Sequence, residues 1–61
     1  MMTTILLQRD VAADCWTATS EAYRALFGQA TLPTPFTARA SADVVWREIV
    51  SRNPDANVVL A

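Results

Sequence analysis

The sequence predicts a small two-layer α+β domain, and three stretches carry that reading. Residues 3–20 read as a β-hairpin, 41–52 as an amphipathic helix and 57–60 as a terminal strand. A helix with one apolar stripe needs a second layer to cover it, and the hairpin offers one. Sixty-one residues allow one domain, spanning 1–61.

Thr3 and Thr4, then Ile5, Leu6 and Leu7, then polar Gln8 and Arg9 have the composition of a strand. Residues 10–14, with Asp10 and Asp14 at the ends, read as a hairpin loop of four or five residues. Residues 15–20 form the second strand, where Trp16, Thr17 and Thr19 supply β preference. Alternation then places Trp16 and Ala18 on one face and Cys15, Thr17 and Thr19 on the other.

Residues 21–27 admit two readings, a short helix or a third strand. Ser20 suits a helix N-cap, Glu21 suits the positive end of the helix dipole, and Gly28 stands where a C-terminal glycine belongs. Ala22, Tyr23, Leu26 and Phe27 would then share a helical face. With period two, Tyr23, Ala25 and Phe27 would line a strand instead, and periodicity alone does not separate short apolar runs. The helix is slightly favoured.

Pro33 and Pro35 hold Leu32 and Thr34 extended, so 29–40 is an extended connector or an edge strand. Leu32 and Phe36 make it too apolar to stand free of the domain. In 41–52, Ala42, Val45, Trp46, Ile49 and Val50 fall on one stripe at helical spacing. Ser41 can cap this helix, and Asp43–Arg47 and Glu48–Arg52 are acid-first i,i+4 pairs. Asn53-Pro54 stops it.

A chain this short buries only about 60% of its unfolded surface, and its core alone supplies roughly 3–5 kcal/mol. The usual reinforcements are missing. Cys15 is the single cysteine and there is no histidine, so neither an intrachain disulfide nor a recognisable zinc ligand set is available. Apolar residues nevertheless make up 52% of the chain, although eleven are alanines. Surplus apolar surface of this kind marks interfaces, and self-association, most simply a homodimer, is the expectation, with a structural subunit of a larger assembly as the alternative. The contact would use the helix face around Val44 or the edge formed by the first or last strand.

The five basic residues, all arginine, are spread along a chain of net charge −1. Nucleic-acid binders show a basic stripe, so no nucleic-acid partner is expected. Ile5-Leu6-Leu7 is too short for a signal segment and nothing reaches the length of a membrane span. Neither targeting nor membrane association is expected, and the single cysteine fits a cytoplasmic setting.

No cofactor, metal or catalytic residue is expected. Cys15 lacks the histidine or cationic neighbour that makes a reactive thiolate, and reads as a small half-buried hydrophobe. The carboxylates sit in loops, at element ends or on a solvated helix face, which does not separate an acid from a base. The chain also looks too small for a ligand pocket of about 300–1,000 Å³. Trp16, Tyr23, Phe27 and Trp46 could stack bases, but platforms of that kind come with a basic groove. Core or interface suits them better. Val44, on the polar side of the last helix, points to a contact. The candidate interface residues are therefore Val44, Trp46, Tyr23 and Phe27.

Residues 15–30, CWTATSEAYRALFGQA, resemble the second-strand region of HicB-type antitoxins. The matching positions are Trp16 to Ser20, an aromatic followed by Thr-Ala-Thr-Ser, and Gly28-Gln29. The resemblance implies an order of hairpin, third strand, helix and last strand. It also implies a dimer that sequesters a small RNase toxin, in a family that often carries an additional DNA-binding segment.

Overall fold

In the computed structural model, which describes residues 2–61, the alternation of the hairpin decides which way the whole sheet faces. Strand β1 (Thr3–Asp10) and strand β2 (Cys15–Thr19) pair antiparallel, with Leu7 opposite Ala18 and Arg9 opposite Trp16. Ile5, Leu7, Trp16 and Ala18 are buried on one face. Leu6, Gln8, Thr17 and Thr19 lie on the other. In the loop the Asp10 carboxylate accepts from the Ala13 N–H at 3.1 Å, and the Asp14 N–H donates to the Val11 carbonyl at 3.2 Å. Asp14 adopts φ 53°, a left-handed turn conformation that aspartate tolerates better than most residues.

Of the two readings of 21–27, the helix forms. Helix α1 (Glu21–Phe27) starts with the Ser20 hydroxyl accepting from the Ala22 N–H and stops at Gly28, φ 80°. The Gly28 N–H donates back to the Arg24 carbonyl at 3.0 Å. Strand β3 (Thr31–Pro33) follows and pairs antiparallel with β2, Leu32 opposite Ala18. The connector thus contains a short edge strand. Its continuation stays attached: the Trp16 N–H donates to the Phe36 carbonyl, and the Trp16 carbonyl accepts from the Thr34 N–H and hydroxyl.

Helix α2 (Ala42–Arg52) begins with the Ser41 hydroxyl accepting from the Val44 N–H and ends at Asn53. The Asn53 side-chain amide donates to the Ile49 carbonyl at 2.9 Å. Glu48 and Arg52 form the expected ion pair at 2.9 Å. Asp43 and Arg47, expected as a second pair, form no such contact; Arg24 and Glu21 pair instead, within α1, at 3.2 Å. Exposed i,i+4 geometry permits such pairs without enforcing them.

Strand β4 (Ala56–Leu60) lies parallel to β1, with Ile5 opposite Val58, so the strand order is β3-β2-β1-β4. Parallel neighbours need a crossover connection, and α2 provides it. The first strand is consequently interior. The expectation that the first strand offers an edge for contact is corrected by this return of the chain to its outer side.

The core comprises Ile5, Leu7, Trp16, Ala18, Val45 and Val58, with Tyr23, Phe36, Ala40, Ala42, Ile49, Val50 and Ala56 packed around it. Both helices and the connector contribute to this one side of the sheet, making two layers. Val45 is fully buried, whereas Trp46, from the same predicted stripe, lies at the rim, 40% exposed. Leu26 and Phe27 are exposed too, because seven-residue α1 meets the core mainly through Tyr23. No helix among the described residues is long and apolar enough to cross a membrane.

A Cβ placed on Gly28 would meet no atom within 4 Å, so substitution there is costly through its left-handed backbone alone. Gly28→Ala should lower unfolding free energy by about 1–2 kcal/mol, and Gly28→Asn by less. Urea denaturation measures both. An alanine variant as stable as the parent would contradict the left-handed cap.

Candidate functional site

Two of the four candidate interface residues belong to α1. Tyr23 and Phe27 lie one turn apart with ring centroids 6.2 Å apart and a tilt of 55°. Tyr23 leans on the core, while Phe27 and its neighbour Leu26 face outward. The other two belong to α2. Val44 and Trp46 are two positions apart on a helix, which sets them on different flanks.

The Val44 flank borders a cleft of about 330 Å³ lined by Pro35, Phe36, Val44, Glu48, Ile49 and Arg52. A second cleft, about 410 Å³, lies between α1 and the end of α2, lined in part by Ile5, Tyr23, Leu26 and Arg52. Arg52 lines both. Val44 and Tyr23 therefore border neighbouring recesses joined at the Glu48–Arg52 pair. These volumes reach the range that the chain's size was expected to forbid. They do so as open surface clefts, since a 61-residue domain has few layers with which to roof them.

The Trp46 flank faces strand β4. The Trp46 indole Nε1–H donates to the Val58 carbonyl at 2.9 Å. At the end of the strand the Ala61 N–H donates to the Leu7 carbonyl at 2.9 Å. Backbone groups alternate along a parallel ladder. Val59 and Ala61 thus turn theirs toward β1, and Val58 and Leu60 turn theirs outward. Trp46 occupies one outward carbonyl of this edge. Beside it, Leu60 on the helix side and Val59 on the open side are both exposed. Trp46 is therefore separated from the Val44 and Tyr23 clefts by the body of α2. The four candidates form no single surface. The edge character of β4, which brings Trp46, Val59 and Leu60 together, was half legible, because the terminal strand was read but its neighbour was not.

The chemistry-bearing side chains are dispersed. Cys15 is half-buried opposite Asp10 in the β1–β2 register. Among the described residues no three Cys, Asp or Glu side chains come together in a metal-binding group. Arg9 stacks over the Trp16 ring at 4.7 Å and donates to the Ala40 carbonyl at 3.3 Å. That contact joins the hairpin to the connector and leaves Arg9 committed to structure. In the segment that resembles HicB antitoxins, α1 precedes Gly28 and the third strand follows it.

Compared with known proteins, the chain matches no family model, no curated protein and no solved structure.

Replacing Trp46 by Phe keeps an aromatic at the rim but removes the donor to Val58. Trp46→Phe should lower stability by about 0.5–1.5 kcal/mol, read by thermal or urea unfolding. A neutral result would mean that solvent replaces the indole on that carbonyl without loss.

Proposed function

We propose that this chain is a small, non-enzymatic protein-interaction domain that associates with itself. One observation carries the reading. The core holds six buried hydrophobic residues, whereas eight large hydrophobics stand exposed among the described residues: Met2, Val11, Leu26, Phe27, Val44, Trp46, Val59 and Leu60. Scattered exposed apolar residues are ordinary. Here they outnumber the core and include aromatic residues of the kind that interfaces favour. A 61-residue domain with one cysteine and no histidine gains most by covering such surface with a partner. A homodimer is the simplest closed arrangement.

The second reading is a sequestering role of the HicB kind: with α1 set between the hairpin and the third strand, the remaining order of hairpin, third strand, helix and last strand is the one that resemblance implies. It predicts that co-expression with a small toxic ribonuclease encoded beside it restores growth.

Self-association makes stability depend on protein concentration. Sedimentation equilibrium at about 10–100 µM, where dissociation constants of that order are populated, should give twice the chain mass. Tm should rise across the same range. A monomer with a concentration-independent Tm would defeat the reading.

A further inference from the structure

Resting on that reading, we infer that the self-association surface is the outer edge of β4, paired antiparallel with β4 of a second copy about a two-fold axis at Val59. The two edges of the sheet differ in kind. β3 is three residues long and carries Pro33, with Pro35 just beyond it. Prolines have no N–H to offer a further strand, and a short proline-bearing edge is a common protection against pairing. β4 has no such protection. Its five residues, Ala-Asn-Val-Val-Leu, include no charge and no proline. Among the described residues its outward Val58 and Leu60 N–H groups and Leu60 carbonyl have no hydrogen-bond partner, and another extended backbone is the chemistry that satisfies them.

That the occupant is a second copy follows from what a two-fold contact demands. Each residue near the axis meets itself or a near neighbour, so a charged strand would set like charges opposite one another. β4 avoids this because it is uncharged. With the axis at Val59, each Val58 lies opposite Leu60 of the other copy, and the outward groups of both residues face each other. The Val58 carbonyl keeps its Trp46 bond and accepts with its second lone pair.

The flanks fit as well. A standard interface takes about 800 Å² from each partner, roughly a fifth of the 4297 Å² exposed here. A backbone ladder of this length needs side chains on both faces to approach that area. Trp46 and Leu60 supply them on the helix face and Val59 on the open face. A two-fold normal to the sheet keeps both helix layers on one side and joins these patches. The product is an eight-stranded sheet whose outer edges are the two proline-bearing β3 strands, so assembly stops at two.

Val59 would face its counterpart at a non-hydrogen-bonded position, where opposed Cα atoms stand close enough for a disulfide. In a Cys15→Ser background, Val59→Cys should give a covalent dimer on air oxidation, and Val44→Cys, bordering the cleft, should not. Leu60→Pro removes one outward N–H that β1 does not use. It should weaken dimerisation at least tenfold in sedimentation while the circular dichroism spectrum stays that of the parent. Should that variant unfold, the cross-linking pair still decides the matter. A dimeric parent in which Val59→Cys fails to cross-link, or Val44→Cys cross-links instead, overturns the edge assignment and leaves self-association standing. A monomeric parent at these concentrations overturns both.

Discussion

Trp16 is joined to the rest of the molecule by its backbone, its ring and its indole nitrogen at once. Its N–H and carbonyl hold Phe36 and Thr34 alongside β2. The indole Nε1–H donates to the Ala40 carbonyl at 3.0 Å, and the Arg9 guanidinium covers the ring and donates to the same carbonyl. The stretch between β3 and α2 is thereby laid down residue by residue along a buried side chain. Because Ser41 caps α2 immediately afterwards, the starting point of the long helix is set by Trp16. From there α2 can cross the sheet, seat Val45 in the core and deliver the chain to the far side of β1.

The same arrangement explains why the domain is one-sided. Both helices lie over the face that carries Ile5, Leu7, Trp16, Ala18 and Val58. The opposite face carries threonines from three strands, including the Thr19–Thr31 hydroxyl pair at 2.9 Å across β2 and β3. Such a face tolerates water because its side chains hydrogen-bond and its pleat is otherwise closed by the ladder. Leu6 and Val59, neighbours across the β1–β4 register, are apolar residues on this face and continue the apolar character of the β4 edge onto it.

Stability and association are connected in a domain of this kind. Six buried hydrophobic residues make a thin core against the conformational entropy of ordering a chain of 61 residues, which is of order 1–2 kcal/mol each for the backbone alone. Local devices contribute: two capped helices, a glycine stop at α1 and a carboxylate-closed hairpin loop. None of them covers Leu26, Phe27, Trp46, Val59 or Leu60. The surplus is spread over an α1 surface, the clefts beside α2 and the β4 edge. Of these only the β4 edge also presents outward backbone groups whose geometry specifies what should lie against it.

Read alone, the sequence determined what is local. Period-two alternation sufficed to put Trp16 and Ala18 on one face and Thr17 and Thr19 on the other. The stripe from Ala42 to Val50 located α2, and Ser20, Gly28, Ser41 and Asn53-Pro54 marked helix ends, since each acts on backbone within one turn. The resemblance of residues 15–30 rested on short, common residue types. Tertiary structure decided the rest. In 21–27 the helix sets Tyr23 against the core. The first strand became interior because α2 returned β4 to its outer side. Trp46 went to the rim because the Val58 carbonyl, twelve positions further along the chain, lies at the sheet edge beside it. Val44 and Trp46, both singled out from sequence, were parted onto different flanks of one helix. Pairing order and layer crossing depend on contacts far apart in the chain, and a single sequence encodes those only through the fold they produce.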